Sequence, residues 1–321
     1  MEQLSAGQKL DEAFEKLNQE KSLSFEFSLD TDAASLKAMD GSSSPEPGEE
    51  MPDEVAQLLS DAKVSVTVQS KKPFGKSGEK DFDRMAMKVS GPDGRLVEYR
   101  VIGDQTYLRT DASTLGKAMG APLPKAADLP PEAGALKKVL EGDWVKIDTK
   151  QMEELAAENG AEPGAEPSPQ PTLDAATQKK LMKAVREVVA REVTLKSAGS
   201  GDGTERVTAT APFRTLATEL VGELRPLAKK LPTDKELKDA PDGKVKADIT
   251  LKNGELKEVR LDLAKLAENT KVKKLGLVIR MTDGVKPTAP VGATELDVEQ
   301  LMAGMFGGMG AEGPGGAVDG M

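Results

Sequence analysis

Val245-Lys246-Ala247-Asp248-Ile249-Thr250-Leu251-Lys252-Asn253-Gly254-Glu255-Leu256-Lys257-Glu258-Val259-Arg260-Leu261-Asp262-Leu263 decides how this chain folds. Val245, Ala247, Ile249 and Leu251 alternate with Lys246, Asp248 and Thr250. Beyond Asn253-Gly254 the pattern resumes, with Val259, Leu261 and Leu263 set between Glu258, Arg260 and Asp262. A strand sends successive side chains to opposite faces, so each half has one dry face and one wet face. Asn-Gly suits a two-residue turn in which both central residues need φ > 0. The stretch predicts an antiparallel hairpin with one covered face.

The same period two recurs outward from this hairpin. Leu275, Leu277, Ile279 and Met281 lie downstream, and residues 192–196 and 205–210 flank a Ser200-Gly201-Asp202-Gly203 loop upstream. In the N-terminal half, Leu23, Phe25, Phe27 and Leu29 alternate with Ser22, Ser24, Glu26 and Ser28. Val64, Val66 and Val68 follow, then Met85, Met87 and Val89, then Val97, Tyr99 and Val101. Gly91-Pro92-Asp93-Gly94 supplies a turn between the last two, and residues 105–109 and 144–147 add short strands. About eleven strands result. Clean one-sided alternation belongs to an antiparallel sheet with one face covered, whereas a parallel sheet buried on both faces shows continuous apolar runs.

The covering layer comes from segments of helical period. Leu4, Leu10, Phe14 and Leu17 share one face of a first helix, and further helices are expected near residues 52–62, 132–140, 173–190 and 212–230, the last ended or kinked by Pro226. The fold class is therefore α+β. Residues 1–283 form one domain, because both halves carry the same one-sided strands and neither has an evident complete core. Residues 41–50 (Ser/Pro/Glu-rich) and 159–171 (four Pro) are loop insertions, and 284–321 is a C-terminal extension, disordered from about 302.

Composition narrows the chemistry. The 321 residues include no Cys and no His, which removes thiol nucleophiles, His general bases, Ser-His-Asp triads and imidazole or thiolate zinc sites. A net charge of -10 speaks against nucleic acid as a partner. Asp30, Asp32 and Asp40 lack EF-hand spacing and suit a solvated acidic loop. Asp81 and Asp83 beside Lys80 and Arg84 suit a surface ion-pair cluster. Gly199 to Gly203 lacks the Lys-Ser/Thr and the following helix of a phosphate loop. Met305, Phe306 and Met309 suit a disordered end. No metal, cofactor or catalytic residue is expected. Met1 to Gln8 has neither a basic start nor an apolar stretch, which fits either a cytoplasmic chain or a mature form without its leader.

What remains is the dry face: Phe25, Phe27, Val66, Val68, Met85, Met87, Tyr99, Val101, Tyr107, Trp144, Ile249, Leu251, Val259, Leu261, Leu277 and Ile279. With aromatics at only 3%, few bulky groups are available to fill a wide space. Two outcomes stay open. The helices fill the space completely, or a curved sheet under a partial lid leaves a cavity for an apolar ligand.

Ile102-Gly103-Asp104-Gln105-Thr106-Tyr107-Leu108, followed by Trp144-Val145-Lys146-Ile147, resembles a pattern of actinobacterial surface lipoproteins. The first helix with Ser24-Phe25-Glu26-Phe27 and the hairpin from Ala247 to Leu263 are similar too. The chain thus resembles the LppX/LprG group and, more distantly, the LolA/LolB carriers, over residues 4–283. The resemblance implies a curved antiparallel half-barrel whose concave face is covered by helices, with an apolar cavity between them. It implies a non-enzymatic, extracytoplasmic lipoprotein that binds or carries a lipid or acylated ligand and is held at the membrane by an N-terminal acylated Cys not present in this chain. The alternative is an envelope sensor or protein-interaction module of the same fold with a filled core, facing an envelope protein partner.

Overall fold

The computed structural model describes residues 5–40, 51–118, 123–129, 134–148, 187–199, 201–225, 231–267, 271–282 and 286–296. The N-terminal half carries α1 (Ala6–Gln19), β1 (Ser22–Leu29), α2 (Ala33–Asp40), α3 (Asp53–Asp61), β2 (Lys63–Ser70), β3 (Phe82–Gly91), β4 (Gly94–Ile102), β5 (Gln105–Thr110), α4 (Ala112–Ala118), α5 (Gly134–Glu141) and β6 (Val145–Asp148). The C-terminal half carries β7 (Thr194–Gly199), β8 (Thr204–Pro212), α6 (Phe213–Leu224), α7 (Asp234–Asp239), β9 (Lys244–Lys252), β10 (Glu255–Asp262), β11 (Gly276–Met281) and β12 (Thr294–Glu295). The expected insertions at 41–50 and 159–171, the tail beyond 302, and residues 173–186 of the long expected helix lie outside the described residues. Residues 187–192 are helical.

One open sheet of twelve strands runs in the order β12-β6-β5-β4-β3-β2-β1-β11-β10-β9-β8-β7. It consists of two meanders, β1 to β6 and β7 to β11, laid side by side with β1 paired to β11. All eleven strands expected from period two are present. The twelfth, β12, has no period to read, and it pairs in parallel with β6, so the sheet is mixed rather than purely antiparallel. The turn residues behave as their chemistry requires: Asn253 and Gly254 have φ of 54° and 71°, and Asp202 and Gly203 have 63° and 70°.

The register sorts the sheet into an apolar face and a polar face. On the apolar face one row runs Val207, Ile249, Val259, Ile279, Phe27, Val64, Val89, Val97. The next runs Met281, Phe25, Val66, Met87, Tyr99, Leu108, Val145. Helix α1 begins with a capping box, in which Ser5 accepts from the Gln8 N–H and Gln8 accepts from the Ser5 N–H. Its stripe of Ala6, Leu10, Ala13 and Leu17 packs on Val207, Ile249, Leu251, Leu256, Val259 and Met281. At the other end Val139 of α5 packs on Val145, Ile147, Leu108 and Leu296. Helix α3 rests on β1 and β3 between them, and α4 on β4. Helix α6 closes at Leu224 with Arg225 as its cap, the residue before Pro226.

The polar face is strapped. After β11, residues 286–296 pass over β3 and β4 to reach β6. Arg84 donates to the Pro287 carbonyl at 3.0 Å and Arg100 to the Thr288 carbonyl at 2.8 Å. Pro287 and Leu296 are buried. Part of the segment expected as a C-terminal extension thus contributes a strand and a strap to the sheet.

Candidate functional site

The two ends of the apolar face are dry. Leu251 and Val207 under α1, and Val145 beside α5, are each 0% exposed. Between them, on β11, β1, β2, β3 and β4, the side chains of Phe25, Phe27, Val66, Val68, Met85, Met87, Tyr99, Val101, Leu277 and Ile279 are only half-buried. Five strands at about 4.8 Å spacing make this strip roughly 19 Å wide. Phe25 and Phe27 form a tilted pair with ring centroids 6.1 Å apart. Val259 and Leu261 are half-buried at its β10 border, while Ile249 and Leu251 belong to the sealed cluster under α1.

Two predicted members lie elsewhere. Tyr107 pairs in register with Arg100 and Lys146, which puts it on the polar face, and Thr106 and Leu108 take the apolar positions. The expectation went wrong because the Gly103-Asp104 turn sets Val101 opposite Thr106, a register that hydropathy does not reveal. Trp144 precedes β6 and also meets the polar face. The guanidiniums of Arg100 and Arg109 lie 4.7 and 4.5 Å from its ring centroid. Both arginines also hold Glu98, at 2.7 and 2.5 Å, and Glu98 is 8% exposed. Strand β4 thereby carries a charged, aromatic node on one face and Tyr99 and Val101 on the other.

Sequence reasoning left Phe14 out of the site. Lys9 and Lys16, one flank of α1, reach Glu205 at 3.1 Å and the Asn253 carbonyl at 3.0 Å, at the end of the sheet where β8 starts and β9 turns into β10. At about 100° per residue Phe14 falls roughly 150° round from that flank, on the other side of the packed Ala6, Leu10, Ala13 and Leu17 stripe. It is 46% exposed. A groove of ≈ 470 Å³ opens at the same end, between α1 and β1, β10 and β11, lined by Leu17, Leu256 and Met281 but also by Lys16, Glu255 and Lys257.

Many of the ionisable groups are engaged in pairs and caps. Glu26, Arg280, Glu258, Arg260, Asp30 and Lys274 make a continuous ladder over β1, β11 and β10 of the polar face. Asp32 caps α2 and Asp40, the last residue of α2, accepts from the Met51 N–H. Asp81 ends a short 3₁₀ turn and pairs with Lys72 at 3.0 Å, while Asp83, second in β3, lies beside Arg84. Among the described residues no group of three or more Asp or Glu is placed to hold a metal ion. No described helix is long and apolar enough to cross a membrane.

These engagements set the response to acid. The Ser35 N–H holds the Asp32 carboxyl below its ordinary value, the Gly78 N–H does so for Asp81, and the Thr114 N–H for Asp111. Burial pushes Glu98 up, but hydrogen bonds from Arg100 and Arg109 outweigh it and the net direction is down. A lowered folded pKa means stability that is present above the ordinary carboxylate range of ~4 and lost as pH falls through the folded values. The chain has no His, so no side chain has an ordinary pKa between 5 and 8. The midpoint of urea unfolding is therefore expected to be flat from about pH 5.5 to 8 and to drop below about pH 4. A slope near neutrality would contradict this.

No family model matches the chain, and no curated protein does. Solved structures do. The chain is similar to LppX, a lipoprotein of Mycobacterium tuberculosis. Identity is 11%, the match covers 88% of this chain and 97% of LppX, and the TM-score is 0.33. It is likewise similar to LprF of Mycobacterium bovis, with 12% identity, 90% and 97% coverage and a TM-score of 0.38. LppX is of the group that the Ile102–Leu108 and Trp144–Ile147 motifs resemble. The strand order and register carry the fold at this level of likeness, and the site stands on its own geometry.

Proposed function

We propose that the protein is a non-enzymatic, extracytoplasmic cell-envelope lipoprotein that binds or carries an acylated, lipid-like ligand against the apolar face of its sheet. The supporting observation is the half-buried strip from β11 to β4, set between two sealed core clusters; in this reading the exposed Phe14 of α1 closes one side of it. Burying acyl chain there contributes ~0.8 kcal/mol per CH₂ and needs few polar groups. The medium-sized Val and Met side chains suit a ligand of variable shape, since Met in particular adapts to irregular surfaces. Membrane attachment through an N-terminal acylated Cys belongs to the same reading.

Native mass spectrometry of gently purified protein is expected to show bound lipid, and a fluorescent fatty-acyl probe is expected to bind the delipidated chain. Phe14→Asp changes an already exposed position, so folding is retained. It removes one aromatic wall and should weaken the probe roughly tenfold. A wild-type chain that carries no lipid and ignores the probe would overturn the proposal in favour of a filled core and a sensor or interaction role.

A further inference from the structure

The loop between β2 and β3, residues 71–82, is a net-positive stretch of this acidic chain, with four Lys against Glu79 and Asp81. It contains Lys71, Lys72, Lys76 and Lys80, with Phe74 and Phe82 among them. Lys72 is occupied by Asp81, whose carboxylate also accepts from the Gly78 N–H at 2.9 Å. Lys71, Lys76 and Lys80 are exposed and make no salt bridge among the described residues. Phe82 is 44% exposed, and its ring lies 5.8 Å from that of Phe74. The exposed Phe82 ring, backed by the half-buried Phe74, is costly to leave in water beside lysines that are readily solvated.

The loop is also built to hold this arrangement. Two short 3₁₀ turns, at Phe74–Lys76 and Glu79–Asp81, shape it. The hydroxyls of Ser70 and Ser77 are 2.6 Å apart, with Ser70 buried at 3% exposure, and the Ser77 hydroxyl donates to the Pro73 carbonyl. The Phe74 N–H donates to the Glu20 carbonyl at 2.9 Å, which ties the loop to the end of α1. It therefore stands at the same end of the sheet as the ≈ 470 Å³ groove.

We propose that residues 71–82 dock the protein on an anionic phospholipid bilayer, with Lys71, Lys76 and Lys80 at the headgroups and Phe82 in the interfacial layer. This goes beyond the proposed ligand binding and beyond any N-terminal anchor. The net charge of -10 opposes non-specific approach of the chain as a whole to an anionic surface. Within a Debye length of ~10 Å only the local charges act, so a lysine-rich loop can engage a surface that repels the rest of the chain. The rim position would set the groove and the strip beyond it next to the lipid source.

The test is co-sedimentation of the full chain with phosphatidylcholine vesicles, with and without phosphatidylglycerol, at low and high salt. Binding is expected only with phosphatidylglycerol, and it is expected to fall with salt. K71Q/K76Q/K80Q should weaken it about a hundredfold, at about fivefold per lysine. F82A should weaken it further, and circular dichroism checks that both variants are folded. Binding of the fluorescent fatty-acyl probe in vesicle-free solution should be unchanged by the triple substitution, so failure here is distinguishable from failure of the ligand-binding proposal. Equal binding to neutral vesicles, no response to the triple substitution, or no vesicle binding by the wild-type chain would overturn the proposal.

Discussion

Leu251→Ala is expected to lower the free energy of unfolding by about 3 kcal/mol, read as a fall in the midpoint of urea unfolding at unchanged slope. Leu251 is 0% exposed and packs in one cluster with Ala13, Val207, Ile249 and Leu256. Its removal costs the transfer energy of the lost methyl groups together with a cavity that the surroundings fill only partly. The site can collapse little. It lies in β9 between β8 and β10, and α1 above it is pinned by Lys9 to Glu205 and by Lys16 to the Asn253 carbonyl. Leu29→Ala is the control. Leu29 ends β1 at 38% exposure, and its loss should cost under about 1 kcal/mol. Similar costs at the two positions would contradict a sealed cluster under α1.

Glu98→Ala is expected to cost about 2–3 kcal/mol, through a different mechanism. Glu98 accepts from Arg100 and Arg109 together, and those two guanidiniums flank Trp144. Without the carboxylate two cations, 4.7 and 4.5 Å from one indole ring centroid, lose their shared counter-charge. Arg100 also holds the Thr288 carbonyl, so loosening it should free the strap. Limited proteolysis within residues 286–293 is the readout that a simple loss of stability would not localise. Glu98→Gln keeps an acceptor but no charge and should fall between wild type and Glu98→Ala. A Glu98→Ala protein with wild-type stability and an equally protected strap would sink this account.

Much of the architecture is legible because its signals are local. Asn253-Gly254 requires a particular backbone, and the alternating residues on either side reveal their own faces. What the sequence hides is pairing that has no period. Thr294 and Glu295 form β12 as a two-residue parallel bridge to Val145 and Lys146, far too short for any alternation. The strap depends on arginines reaching carbonyls some two hundred residues away. Short helices such as α2, α4 and α7 lack the turns needed to show a stripe. For the site, the apolar rows on β1 to β4 could be read directly from Val66, Met87 and their neighbours. Tyr107 and Trp144 could not be assigned, because an aromatic ring suits either a dry face or a pair of guanidiniums. Phe14 could be placed only once the direction of α1 across the sheet was known, and that direction is fixed by Lys9 and Lys16 finding partners in the other half.

The join between the two meanders has a further consequence for how the chain assembles. Strand β1 gains β2 on one side after a short stretch of synthesis, but its other neighbour is β11, near the end of the chain. Until residues 276–281 arrive, Phe25 and Phe27 belong to a strand with one complete row of hydrogen-bonding groups unmet. An unpaired edge rich in apolar residues is a template for association with other chains. Pairs such as Phe25 with Met281 and Phe27 with Ile279 have a very large sequence separation, which slows the step that forms them. The centre of the finished sheet thus closes late, and a partly made or truncated chain presents there an edge prone to aggregate or to swap β11 with a second copy.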